Sequence, residues 1–530
     1  MLSFGRASFG SEDVIQEPTQ RILVLLCQEL AGLDTGPDLL AVERSLVESS
    51  SPLEVRRIAN VCQGSSQLEG AALTSGAERL VLGVCSGEYA LAKIQVQARK
   101  SAIDPLGVEV VNLGALTGLG YSPARATEKA SILLCAAIAR ARAFRGSQPI
   151  HAKPYLRERL SRRSFFRLPL PEYRAVPSIE ASLCAADRGC RACVEVCPNS
   201  ALQWAGGQVH YDRSRCDPCG LCITTCPCGA ITNPSITAAQ LEAEVRTLLD
   251  PAWGRLQPRG IVFACQESPE PAELHAGWMR VRLPCVGMAP PHWLLAPLLM
   301  GASRVGVIPC GDSCAVCQDE LIAARAAYCQ EFLEAIGAGR ELVRVSPALS
   351  EPPVGASRRE LLERPFEHDS ASRVLMTLAR EHGAPDDLVL DHPQSPLGVI
   401  GISAEACTAC SMCAKACPSG ALEFSEQRDS VSLSFDTRLC TACGQCLPRC
   451  PEAARGAIHL EKRTDAARMS EGRRHLLETE VRRCVACGGP VAPAGMLRRI
   501  ESLLGSDYAV SLPVLNRYCS DCRGRMSQAP

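Results

Sequence analysis

Thirty-one cysteines in 530 residues, most of them in tight runs with gaps of two or three residues, constrain this chain more than any other feature. A secreted disulfide scaffold is normally short and follows a signal peptide. This chain is long and opens MLSFGRASFGSEDVIQEPTQ, which is acidic and has no apolar h-region, so no secretory start is expected. The reading that follows is a soluble, cytoplasmic protein whose thiolates bind metal.

The remaining composition narrows the class. A length of 530 residues suggests three to five domains. With 46% hydrophobic residues there is enough apolar material for packed cores. The net charge is −1, from 56 basic and 57 acidic residues, so no nucleic acid or anionic surface is expected as a partner. Aromatics make up 4%, which also weakens base stacking. The longest apolar runs, ASILLCAAIA and WLLAPLLMGA, reach about half of the roughly 18 residues a spanning helix needs. Arg162-Arg163 with Phe165-Phe166 imitates a twin-arginine export signature, but it lies deep in the chain and no apolar run follows it.

Residues 21–143 alternate apolar runs with helix-period segments, the pattern of an α/β layer. Residues 144–176 are Arg-rich and punctuated by Pro154, Pro169 and Pro171, as a basic linker would be. A first cysteine block lies within 177–236, a second α/β stretch covers 256–350, and 351–396 reads as a cysteine-free linker. A second cysteine block lies within 397–462, and two Cys pairs fall within 480–526. Cys197-Pro-Asn-Ser-Ala-Leu202 matches Cys417-Pro-Ser-Gly-Ala-Leu422, so one module is duplicated.

The second block reads Cys407-x2-Cys410-x2-Cys413-x3-Cys417-Pro, then Cys440-x2-Cys443-x2-Cys446-x3-Cys450-Pro. Three thiolates two residues apart wrap one side of a 4Fe–4S cube, and the fourth Cys of each run completes the other cube. Cys407, Cys410, Cys413 and Cys450 therefore form one set, and Cys440, Cys443, Cys446 and Cys417 another. In the first block Cys216, Cys219, Cys222 and Cys197 form a set of the same kind. Cys184, Cys190, Cys193 and Cys226 form the last, with three extra residues after Cys184 that leave a cube or a three-iron form open. Cys228 is surplus and is read as a packed thiol. Both blocks resemble the bacterial two-cluster ferredoxins, which relay single electrons.

Between the blocks, Ile261-Val-Phe-Ala-Cys265, Val281-Arg-Leu-Pro-Cys285 and Val305-Gly-Val-Ile-Pro-Cys310-Gly-Asp-Ser-Cys314 put cysteines at strand ends, where open α/β sheets place their sites. This stretch resembles the small iron–sulfur (delta) subunit of methyl-viologen-reducing hydrogenases. The resemblance implies one 2Fe–2S cluster on Cys265, Cys285, Cys310 and Cys314, with Cys317 as the substitute for the last, and docking to heterodisulfide reductase. Ser268 stands where that family has its second Cys. Cys329 is read as core.

Cys27, Cys62 and Cys85 end apolar runs. With Arg79-Leu-Val-Leu-Gly-Val-Cys85-Ser86 and Ala126-Thr-Glu-Lys-Ala they resemble the N-terminal domain of the heterodisulfide reductase flavoprotein. Glu29 and the Leu119-Gly-Tyr region occupy places of further family cysteines, so a cluster and a docking domain without one both stay open. No Gly-x-Gly-x-x-Gly follows a strand, so no flavin is expected, and no Cys-x-x-Cys-His calls for haem. Finally, Cys484-x2-Cys487 and Cys519-x2-Cys522 supply the four thiolates of a zinc ribbon or a rubredoxin-like iron site, with zinc the assignment taken.

The sequence thus describes a multidomain α/β plus α+β protein. It has two ferredoxin-like modules of two 4Fe–4S clusters, two α/β domains and a C-terminal four-cysteine zinc ribbon. No catalytic residue is assigned. The expected role is an electron-transfer subunit in a hetero-oligomeric complex with a heterodisulfide-reductase-like flavoprotein, a hydrogenase or a formate dehydrogenase. The competing expectation is a catalytic subunit that binds substrate at an incompletely ligated N-terminal cluster.

Overall fold

The computed structural model describes residues 20–32, 36–49, 52–117, 121–148, 151–155, 170–254, 256–266, 268, 274–311, 314, 316, 318–354, 362–504 and 512–526. Cys317 and the twin-arginine-like stretch lie outside the described residues.

The first unit is a four-stranded parallel sheet of β1 (Ile22–Cys27), β2 (Leu53–Ile58), β3 (Arg79–Val84) and β4 (Val108–Asn112), in the order β2-β1-β3-β4. The runs ILVLLC and RLVLGV are buried along nearly their whole length, as parallel strands covered on both faces must be. The covering helices are α1 (Leu39–Ser49), α2 (Ser66–Ser75), α3 (Leu91–Lys100) and α4 (Pro123–Ala143). Ser122 starts α4 by accepting the Arg125 N–H, and Pro123 occupies the first helical position, where its missing donor costs nothing. One face of α4 (Ala126, Ala130, Leu134, Ile138) packs on the sheet, while Ile132 and Ala136 join a second core.

That second core surrounds another parallel sheet, with strands Trp278–Leu283, Gly260–Cys265, Val305–Ile308 and Val343–Val345 in that order. Helices Ala238–Leu248, Pro291–Leu299 and Asp319–Ala335 contribute Leu241, Leu294 and Phe332 to it. The stretch 351–396, expected as a linker, instead carries the helix Ala371–Glu381 and the strand Val389–Asp391. Val374, Leu375 and Leu378 of that helix are buried in the same core, and Trp293 Nε1 donates to Phe366 O at 2.9 Å. Within the expected basic linker, Ala152–Tyr155 pairs antiparallel with Glu172–Ala175.

Buried polar contacts fix the first sheet unit against the second. Lys129, 4% exposed, donates to Tyr121 Oη at 2.9 Å and to the carbonyls of Ala276 and Trp278 at 3.0 and 3.1 Å. Arg140 bridges Glu109 on β4 (3.1 Å) and Glu244 on the 238–248 helix (2.6 Å). Burial outweighs the guanidinium and holds both carboxyls above the usual carboxylate range.

The two cysteine blocks are built from short antiparallel pairs. In the first, Leu202–Ala205 pairs with Gln208–Tyr211, and Ser178–Ile179 with Ile231–Thr232. In the second, Leu422–Glu426 pairs with Ser430–Asp436, and Gly398–Ile402 with Ile458–Asp465. The duplicated motif is conformationally the same in both copies, since Ser200 (φ 49°) and Gly420 (φ 70°) are both left-handed just before the strand. Among the described residues no helix is long and apolar enough to cross a membrane.

Candidate metal and cluster centres

In the second block, alternating left-handed residues fold each Cys-x-x-Cys-x-x-Cys around one point. Ala409 and Ser411 have φ of 55° and 64°, and Ala442 and Gly444 have 52° and 69° in the equivalent places. Such a turn directs side chains and amides inward, the usual cradle of an anionic cluster. Cys413, Cys417, Cys440 and Cys446 share one small core, with Cys450 packed against it. Cys407, Cys410, Cys413 and Cys450 line one small cavity, and Cys417 shares its core with Cys440 and Cys446. Each fourth thiol therefore faces the other run.

In the first block Cys197 packs against the small cores that hold Cys216 and Cys222. Cys226 accepts the Ala230 N–H at 3.3 Å, as Cys197 accepts that of Ala201 at 3.2 Å, so the two fourth cysteines are structural equivalents. Cys228 Sγ lies 3.9 Å from Cys226 Sγ, so a fifth thiol borders the first set. Burial is the leading cause that pushes Cys190 and Cys219 up to about 11 and Cys193, Cys413 and Cys446 up to about 12. Thiols held so high ionise only when a metal supplies positive charge, and soft thiolates favour zinc and iron–sulfur clusters.

In the middle sheet Cys265 ends its strand, while Cys285 and Cys310 each follow one, so all three lie at the C-terminal edge with Cys314 beyond. The charges of Cys265 and Cys314 act on Cys285, and burial first pushes Cys285 up to about 12. Ser268 is buried, and its hydroxyl has no hydrogen-bond partner among the described residues. Cys329 is fully buried on its helix.

The first sheet gathers three cysteines at the same edge. Cys27 ends β1, Cys62 sits in a 3-10 turn after β2, and Cys85 follows β3. Asn60 (φ 56°) and Gly64 (φ 62°) bracket that turn, and a Cβ at Gly64 would lie 2.9 Å from Lys93 Cβ. The three sulfurs lie within 4.8 Å of one another. Cys85 Sγ is 3.5 Å from Cys27 Sγ and 3.6 Å from Cys62 Sγ. Cys27 donates to Glu29 Oε2 at 2.9 Å, and Glu29 is anchored by the Asn60 N–H at 3.0 Å. Burial, then the Glu29 carboxylate, pushes Cys27 up to about 12. Sequence spacing could not reveal this convergence, because the three residues meet only through the parallel strand order.

At the C-terminus, Cys484, Cys487, Cys519 and Cys522 also lie within 4.8 Å of one another. Four thiolates at about 2.3 Å from one ion sit roughly 3.8 Å apart, so this set fits a single tetrahedral metal. The Gly488 N–H closes the first knuckle on Cys484 O at 2.8 Å, and the Val485 N–H donates to Arg517 O at 2.9 Å to join the two pairs.

The two cysteine blocks are of the ferredoxin-type 4Fe–4S class. Residues 188–230 and 406–454 match the family model of the 4Fe–4S dicluster domain. The chain is 34% identical over 64 residues to the electron transport protein HydN of Escherichia coli, covering 12% of this chain and 37% of that protein. It is 36% identical over 78 residues to an iron–sulfur protein of Rhodospirillum rubrum, covering 14% and 40%. A ferredoxin of Methanocaldococcus jannaschii is 49% identical over 39 residues, covering 7% and 24%. The chain thus spans two fifths or less of these relatives' lengths.

Proposed function

We propose that this chain is a multi-cluster electron-transfer protein that relays single electrons between a flavoprotein, dehydrogenase or hydrogenase partner and an acceptor in a heterodisulfide-reductase-like complex. What supports the reading is the match of both cysteine blocks to the 4Fe–4S dicluster domain, together with the four-cysteine spacing that crossed ligation of paired cubes uses. Cys184, Cys190, Cys193 and Cys226 would hold one cube, and Cys216, Cys219, Cys222 and Cys197 a second. Cys440, Cys443, Cys446 and Cys417 would hold a third, and Cys407, Cys410, Cys413 and Cys450 a fourth. Cys265, Cys285, Cys310 and Cys314 would hold a 2Fe–2S cluster, and Cys484, Cys487, Cys519 and Cys522 one zinc. When bound, the clusters supply one-electron redox capacity, while the protein sets their spacing, burial and hydrogen bonding.

A second reading is favoured by one specific observation, the convergence of Cys27, Cys62 and Cys85 beside Glu29. Three thiolates could hold a further cluster with one iron left open to a ligand, as substrate conversion on this chain would need. Anaerobic analysis of iron, sulfide and zinc separates the readings. About 18 irons per chain fit four cubes and one 2Fe–2S cluster, and about 22 fit an additional N-terminal cube. Iron well below about 16 per chain with no sulfide would end the electron-relay reading.

A further inference from the structure

The extra residues in the first cysteine run do more than lengthen a loop. Ala185–Gly189 folds into a tight turn, with the Arg188 and Cys190 N–H groups donating to Ala185 O at 3.1 Å and Gly189 left-handed at φ 86°. This turn is pressed into the second block. Arg188 donates from its guanidinium to Cys417 O at 3.2 Å, and the Arg191 N–H donates to Gln445 Oε1 at 3.1 Å. The Arg449 guanidinium lies so close to Gly189 that a side chain there would collide with it. Residues 188–191 flank Cys190, Cys417 is a member of the Cys440 set, and Gln445 lies between Cys443 and Cys446.

The other end of the first block meets the middle sheet. Gly220, next to Cys219 and left-handed at φ 81°, is packed so that a Cβ there would lie 2.8 Å from Met288 Sδ. Met288 ends the short 3-10 turn Val286–Met288 that follows Cys285, so the Cys219 end of the first block abuts the Cys285 end of the middle sheet. Within the blocks, Cys193 and Cys222 share one small core, and Cys413 and Cys446 share another. The Cys407 end lies under the C-terminal helix Ala494–Leu504, where a Cβ at Gly495 would be 2.6 Å from Cys407 O.

Resting on the cluster reading above, we propose that the insertion at 185–189 docks the two blocks so that the five ligand sets stand in single file. The order is the Cys265 set, the Cys216 set, the Cys184 set, the Cys440 set and the Cys407 set. The second block is thus entered through its C-terminal run, opposite to sequence order. An electron given up by one set is taken up by its neighbour, with no bond made or broken.

The test reads magnetic coupling between neighbouring reduced clusters in the anaerobically purified full chain, reduced with titanium(III) citrate. Cys190→Ser first identifies the EPR signal of the Cys184 set by its loss. Cys443→Ser should then remove the spin–spin broadening of that signal from the second block, and Cys410→Ser should leave it unchanged. An Arg188→Ala/Gln445→Ala double variant keeps every ligand. It should retain the wild-type iron content and weaken that same coupling alone. Loss of coupling in Cys410→Ser but not in Cys443→Ser, or no change in any variant, overturns the order while iron content upholds the clusters. Wild-type protein without cubes would overturn the cluster reading itself, and the order with it.

Discussion

Arg140 and Glu244 meet at 2.6 Å in the seam between the first parallel sheet unit and the helix that leads into the second. Both side chains are nearly buried, and Glu109 takes the other edge of the same guanidinium. Removing Arg140 leaves two desolvated carboxylates with no cation between them, and breaking a buried pair in this way costs about 3–5 kcal/mol. Arg140→Leu should therefore lower unfolding stability by that order, measured by denaturant titration. The sign of its pH dependence also follows. Both carboxyls already have raised folded-state pKa values, and loss of Arg140 raises them further. Their stabilising protonated form is lost as pH rises through the folded value, so the deficit relative to wild type should be larger at pH 8 than at pH 5.

Cys417→Ser should remove the cube of the Cys440 set and leave that of Cys407, Cys410 and Cys413, although Cys417 follows the latter in sequence. The expected result is about four fewer irons per chain and the loss of the same EPR signal that Cys440→Ser abolishes. Loss of the Cys407→Ser signal instead would reverse the crossed assignment.

Cys285→Ser addresses the middle sheet. About two irons should be lost while dithionite still reduces all four cubes, because sites in separate packed units respond nearly independently. Turnover with the partner complex should fall. Unchanged iron would return Cys265, Cys285, Cys310 and Cys314 to the role of buried thiols.

The C-terminal four-cysteine site should release about one zinc per chain to a colorimetric chelator after thiol modification. Cys519→Ala should abolish that release and make the segment after Arg483 more sensitive to limited proteolysis, with the iron content unchanged. One iron in place of zinc, with a rubredoxin-like visible spectrum, would change the metal assignment but keep the ligands.

The two ferredoxin-type blocks were legible in the sequence because a cysteine every third residue is a local device, fixed by a few backbone torsions such as those of Ala409 and Ser411. The apolar strands ILVLLC and GIVFAC were legible for the same reason, since a run buried on both faces must be apolar throughout. The helix Ala371–Glu381 was missed because its stretch is polar overall. Its apolar residues form a single stripe against a core assembled from residues far away in sequence.

By itself, then, the sequence determined the thiol-rich chemistry, the duplication of the ferredoxin-type block and the parallel α/β pattern around it. Only the tertiary structure decided that Cys27, Cys62 and Cys85 meet beside Glu29, because parallel strand order brings together the ends of strands that loops and helices separate. It also decided that the turn after Cys184 reaches Cys417 in the second block, through the Arg188 guanidinium. Spacing along a chain fixes what a short segment can bind, but which segments touch depends on the packing of distant surfaces, which no local pattern encodes.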